Sequence, residues 1–507
     1  MINPIIRLDY PDPEVIRVED TYYMISTTMH FMPGGAILRS YNLKDWELLT
    51  YLYDILGDTP KEMLDGGNIY GKGMWAPTMR YHKGRFYILF VANNTHKTYL
   101  FTSDNIMGPW KKSYVEGFYH DASLFFDDDD RKYIIYGNKT IYLTELNDSL
   151  TAPKEGGLHR VIVEDKDHPS LGYEGTHFYK INGRYYAFFI HSLRDRWFRT
   201  EACFYSDSLE GEFTGGDVLA CDMNYRGSGV AQGGIVDTPD GKWYGILFQD
   251  RGAVGRLPVL VPVKFEDGKP VFGIDGNIPE EIETNDLKPG YKYEALYSSD
   301  DFDYETDESG KVALKKVWQW NHNPDNKLWS VTERKNALRL HSGRLCDNVL
   351  ESVNTLTQRT YDPYSEAVVT VDASALKEGD YAGICAFQGL FVALSVTKTG
   401  DGFKLVMHGK APVPGARPGD DNEPVEEVFE EVLTDSPVVT LKCTFDCEKG
   451  DVVNMYYKKN DEWIHIGKEK EMQFRLDHFT GCRYGLYYYS REKTGGYADF
   501  MKFEYIV

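Results

Sequence analysis

Three carboxylic acids, Asp12, Asp121 and Glu174, each stand about 11 or 12 residues before the last Tyr of a short recurring motif, and Trp75 and Gln232 hold the same offset in two further copies. An isolated acid at the start of a strand commonly does no more than cap a turn. Three in register, with a Trp as a fourth member, are different. Carboxylates that converge repel one another and shift one another's pKa, an arrangement kept where the groups do chemistry.

The elements that must bring these residues together can be read from the motif itself. It is a Gly or Asp turn followed by a polar residue and aromatics: Asp20-Thr21-Tyr22-Tyr23, Gly84-Arg85-Phe86-Tyr87, Asp130-Arg131-Lys132-Tyr133, Gly183-Arg184-Tyr185-Tyr186 and Gly241-Lys242-Trp243-Tyr244. Each copy predicts the turn of a hairpin, and copies recur about every 45 to 65 residues, the period of a four-stranded propeller blade. Equivalent positions in successive blades face one mouth, so Asp12, Trp75, Asp121, Glu174 and Gln232 should meet around the axis. The run Asp127 to Asp130 lies in the third of these turns without the ligand spacing of a calcium loop, and reads as solvated turn charge.

With these residues in hand, the chain resembles glycoside hydrolase family 43, the β-xylosidases, α-L-arabinofuranosidases and arabinanases. Tyr10-Pro11-Asp12-Pro13-Glu14 is similar to that family's opening motif, Asp121-Ala122-Ser123-Leu124-Phe125 to its central acidic segment, and Tyr173-Glu174-Gly175-Thr176-His177 to the segment of its general acid. The resemblance implies an inverting hydrolase with Asp12 as base, Glu174 as acid and Asp121 tuning and orienting the acid. Inversion places a water between two carboxyl groups roughly 6.5 to 9.5 Å apart, and an ionised Asp121 is expected to raise the pKa of Glu174. It further implies that Trp75 walls the sugar pocket, that Arg256 contacts sugar and acidic cluster, and that His30 and Phe31, on a loop punctuated by Pro33 and Gly34, line the pocket. Many members carry a His at a hydrated cation site where this chain has Gln232. A Gln oxygen can ligate calcium directly or through water, so a structural calcium is possible, and no cofactor is expected for the chemistry.

Composition agrees with this class. Aromatics make up 14% of the 507 residues, which suits stacking on sugars and the interiors of sheets alike. The net charge of -22 argues against nucleic acid or an anionic membrane as partner. The seven cysteines are scattered and read as buried free thiols. Met1-Ile2-Asn3-Pro4 leads directly into strand-like sequence without signal-peptide character, and a cytoplasmic location is expected.

The expected fold is all-β: a five-bladed β-propeller over residues 1–285, a linker over 286–300 marked by Pro289-Gly290, and a concanavalin-like β-sandwich over 301–507. Alternating runs such as Ala367-Val368-Val369-Thr370-Val371 and Phe403-Lys404-Leu405-Val406-Met407 supply its strands, and Trp318-Gln319-Trp320-Asn321-His322-Asn323-Pro324 resembles its start. The acidic stretch from Asp420 to Glu431 reads as an exposed loop. Trp318, Trp320 and Trp329 are expected in the core rather than on sugar. The sandwich should wall off one side of the propeller pocket. That favours release of single pentoses from arabinoxylan-type plant oligosaccharides, α-L-arabinofuranosidase action ahead of β-xylosidase or dual action. The rival class is a propeller that binds sugar without cutting it. Loss of one of the three carboxylates would mark it, and all three are present. Oligomeric state has no signature in the sequence.

Overall fold

Ile88-Leu89-Phe90-Val91, in the second strand of the second blade, is an unbroken apolar run with every side chain buried. A strand with one wet face would alternate; this one is covered on both sides. Ile88 and Phe90 pack with Ile25 and Ile37 of the first blade. Leu89 packs with Leu124 and Ile134 of the third. Burying each such side chain contributes roughly 1.5–3 kcal/mol, so the blades hold one another in place.

The computed structural model describes residues 3–165, 170–308, 310–400, 402–410 and 425–507. Among them, five four-stranded antiparallel sheets form the blades. The first comprises Glu14–Val18, Thr21–Ser26, Gly34–Ser40 and Glu47–Tyr53, and the fourth Glu174–Ile181, Arg184–Ser192, Arg199–Ser206 and Thr214–Leu219. All five motif copies fall at the turn between the first and second strands of a blade, as Val18↔Thr21 and Ile181↔Arg184 illustrate. The segment before the first blade runs along the third strand of the fifth, Arg256–Glu266. There Ile5 donates its amide to the Pro258 carbonyl, Tyr10 to that of Arg256, and the Asn3 carboxamide exchanges two hydrogen bonds with Leu260. The ring is thereby closed by chain from its own beginning.

Residues 280–300 contain no strand, yet they lie against the first blade: Tyr291 Oη donates to Glu47 and the Leu287 amide to the Tyr41 carbonyl. Beyond them an eight-stranded and a seven-stranded sheet face each other as a sandwich. The expected runs form the strands Tyr364–Asp372 and Gly402–Gly409. Trp318 and Trp320 are core residues, and Trp329 packs against them. Sandwich and propeller share structure. Phe31–Met32 of the first blade's loop pairs with Gln319–Asn321 as an edge of the larger sheet, and Ala253, Val254 and Leu257 of the fifth blade enter the sandwich's core.

Two surface readings are corrected. Asp127 is buried rather than solvated, because Lys180 and Tyr185 of the next blade donate to its carboxylate at 2.7 and 2.8 Å. In the acidic stretch, residues 420–424 lie outside the described residues. The remainder largely belongs to a strand, Glu427–Thr434, paired on one side with Gly402–Gly409. An edge strand tolerates acidic side chains because its free edge faces water and charge there blocks further pairing.

Candidate active site

Each first strand begins at the mouth of the propeller, and in four of the five blades the chain is kinked at or near that start. Asp12, Asp121 and Gln232 adopt left-handed backbone conformations, with φ of 52°, 47° and 58°. The same conformation falls one residue later in the fourth blade, at Gly175. For a non-Gly residue this costs about 1–2 kcal/mol, and such strain gathers at functional sites. Its repetition at equivalent positions turns the side chains into the mouth.

Asp12 is held from two sides. Its Oδ1 accepts from Arg256 Nη1 at 2.9 Å and its Oδ2 from Thr27 Oγ1 at 2.8 Å. Arg256 is buried, with Nε 3.5 Å from Asp250 Oδ1 and its guanidinium 4.4 Å from the centre of the Phe479 ring and 4.8 Å from that of Phe248. Burial works against its charge, but Asp12 and Asp250 outweigh burial and keep it cationic. The Arg256 amide donates to Asp9 Oδ1 at 2.8 Å, and Asp9 Oδ2 accepts from the Gly481 amide at 2.7 Å. Burial pushes the Asp9 carboxyl up.

Asp121 and Glu174 meet around a residue absent from the sequence reading, His120. Its Nε2 lies 3.6 Å from Asp121 Oδ2 and 3.5 Å from Glu174 Oε2. Burial pushes Asp121 up to about 6, aided by Glu174 and Asp12 and opposed by His120. The charge of Asp121 in turn raises His120 to about 9. Near neutral pH the cluster therefore holds an imidazolium against ionised Asp121. The sequence sets Asp121 directly against Glu174; here a cation accompanies both, offsetting the charge that Asp121 presents to Glu174. Asn138 Nδ2 donates to Glu174 Oε2, and Glu174 is the most accessible of the three acids, with 19% of its side chain exposed against 5% for Asp12.

Trp75 lies between the second blade and the sandwich. Its Nε1 donates to the Gly71 carbonyl at 3.1 Å, and its ring stacks on Phe479 of the sandwich at 5.7 Å and 22°. His30 and Phe31 need correction as pocket-lining residues, for both are fully buried. Their segment is drawn into the seam by its pairing with Trp320–Asn321, where His30 packs on Tyr70, His322 and His478 and Phe31 lies beneath Arg483.

One step below the mouth the axis is filled. Arg80 Nη1 lies 3.0 Å from Glu14 Oε1, and Thr78, Tyr179 and His177 complete the Glu14 carboxylate at 3.1, 3.2 and 3.3 Å. Burial alone would raise Glu14, but Arg80 and His177 hold it at about 2. Gln232 donates its amide to Glu201 at 2.8 Å, and its side chain rests on Gly175. Calcium takes six to eight oxygen ligands. Among the described residues, His120, Asp121 and Glu174 form the one cluster of His, Cys, Asp or Glu side chains close enough to share an ion, and one of its three donors is an imidazole nitrogen rather than an oxygen. Two carboxylates and an imidazole do not by themselves make up the oxygen shell of calcium.

His120 and Asn138 could have been sought at sequence level, the first beside Asp121 and the second at the end of the neighbouring strand, Lys132–Asn138. Phe479 and Asp9 had no such signal.

The profile described as "Glycosyl hydrolases family 43" matches residues 1–270, and that of the "Beta xylosidase C-terminal Concanavalin A-like domain" matches 300–506. A β-xylosidase of Formosa agariphila is 27% identical over 99% of this chain and 90% of its own length. A non-reducing end α-L-arabinofuranosidase of Bacteroides ovatus is 29% identical over 67% of this chain and 64% of its own. Among solved structures, a bifunctional GH43-CE protein of Bacteroides eggerthii superposes with a TM-score of 0.89 at 41% identity; the match covers 99% of this chain but only 63% of that one.

Proposed function

The chain belongs to glycosyl hydrolase family 43 and is a glycoside hydrolase, and from that premise we propose that it releases single pentoses from arabinoxylan-type oligosaccharides with inversion. In this reading Asp12 is the base, positioned by its hydrogen bonds from Arg256 and Thr27, and Glu174 is the acid. Asp121 and His120 form the charged pair that orients the acid. Water attacks the anomeric carbon from the side of Asp12 while Glu174 gives its proton to the departing oxygen, and Asp12 takes the proton of the water. The observation that carries exo action is Phe479, which brings the sandwich against Trp75 and Arg256. A wall there leaves room for a chain end or a branch rather than for the middle of a chain.

The preferred sugar is a terminal α-L-arabinofuranosyl residue, since branches must leave before a xylose backbone can be fully digested. β-Xylosidase action in the same pocket is the second reading, favoured by the name of the Formosa agariphila relative. Proton NMR during hydrolysis of arabinosylated xylo-oligosaccharides tests both. Arabinose first formed as the β-anomer is expected; xylose as sole product would overturn the sugar preference, and α-arabinose the inverting mechanism.

A further inference from the structure

Trp197 is 59% exposed. A single exposed apolar side chain is by itself ordinary. Its place makes the exposure informative. Trp197 lies in residues 193–198, which link Arg184–Ser192 to Arg199–Ser206 and are closed by the Leu193 amide on the Phe198 carbonyl at 3.1 Å. In the same blade Glu174 pairs with Ile190 and Ser192 with Arg199. The hairpin therefore extends the strand beside Glu174 outward over the mouth.

The ring also has a rigid mount. The Arg199 guanidinium lies 5.7 Å from its centre, and Arg199 is itself buried, with Nε 2.5 Å from Asp250 Oδ2. The other oxygen of Asp250 lies 3.5 Å from Arg256 Nε, and Arg256 holds Asp12. One series of alternating charges, partly open to solvent at Asp250, thus runs from the base to the foot of the exposed indole. A flexible surface Trp would have no such footing.

We propose that Trp197 is the platform for the sugar on the leaving-group side of the scissile bond, and that this sugar is a pentopyranose of the oligosaccharide backbone. The inference rests on the reading of Glu174 as acid, because the departing oxygen lies on the side of the residue that protonates it. A xylopyranose ring carries no hydroxymethyl group and so offers flat C–H faces to an indole. Binding energy gained there, remote from the reacting bond, accelerates oligosaccharides over small aryl glycosides.

The test is a ratio: kcat/KM on xylotetraose or its arabinosylated form, divided by kcat/KM on the nitrophenyl glycoside of the sugar released. Trp197→Ala is expected to lower that ratio about tenfold, and Trp197→Phe to restore it to within about twofold of the parent. An equal fall on both substrates, or no change on either, would overturn the platform. A parent enzyme that hydrolyses neither substrate would overturn the pentosidase reading, and the platform with it.

Discussion

The indole of Trp75 and the ring of Phe479 lie 5.7 Å apart with their planes at 22°, although one belongs to the second blade and the other to a loop of the sandwich. Phe479 holds a left-handed backbone, φ 57°, and also lies beneath the Arg256 guanidinium. Its loop is riveted two residues on, where Gly481 donates to Asp9. The surroundings of Trp75 and Arg256 are therefore a joint product of both parts of the chain. Phe479→Ala should lower kcat/KM on a nitrophenyl pentoside about tenfold or more, since Arg256 and Trp75 both lose a packed neighbour. Unaltered kinetics in this variant would show that the sandwich is no part of the pocket.

Acid and base can be told apart by leaving group. Glu174→Ala and Asp12→Ala should each lower turnover on natural oligosaccharides by about 10²- to 10⁴-fold. A nitrophenolate departs with little help from a proton, so Glu174→Ala should recover much of its rate on an aryl glycoside. Asp12→Ala should not, because water still has to be activated. Equal losses by both variants on both substrates would reject the assignment.

His120 owes its raised pKa first to Asp121. In Asp121→Asn the imidazolium loses its main counter-charge, so its pKa should fall from about 9 toward the ordinary 6.5. NMR titration of the imidazole signals, with His120→Asn to assign the resonance, measures this directly. If protonated His120 is needed to orient Glu174, the alkaline limb of the pH-rate profile moves to lower pH in the same variant. A His120 midpoint that stays near 9 would show that Asp121 is not its partner.

The legible part of this structure is the part that repeats. Five hairpin turns predict five blades, and equal offsets from those turns pick out Asp12, Trp75, Asp121, Glu174 and Gln232, because equivalent strands must start at one mouth. What escaped comes from contacts between blades or across the seam. Asp127 reads as turn charge until Lys180 and Tyr185 arrive from the next blade. His30 and Phe31 read as pocket residues until the sandwich supplies a strand for their loop to pair with. Asp9 and Gly481 stand 472 residues apart, a separation over which local pattern carries no information. His120 was within reach, but a residue beside a conspicuous acid has no periodicity of its own.

The seam itself should respond to acid. His30, His322 and His478 are all buried there, and burial pushes each imidazole below its ordinary 6.5. For His30 the neighbouring His322, His478 and Arg483 act in the same direction; for His322 it is His478 and Arg344; for His478, Asp477 opposes burial without overcoming it. A group with a depressed folded pKa binds its proton more readily in the unfolded chain. The stability it contributes is present above about pH 6.5 and is lost as pH falls toward its folded pKa, at about 1.4 kcal/mol per pH unit for each such group. Buried carboxyl groups with raised pKa, such as Asp9, slope the other way, so the comparison must be between variants. In His30→Phe one of the three histidines is gone, and urea unfolding between pH 6.5 and 5 should show stability falling less steeply than in the parent, by an average of about 1 kcal/mol per pH unit. Parallel curves for the two proteins would mean that His30 takes up no proton on unfolding in this range.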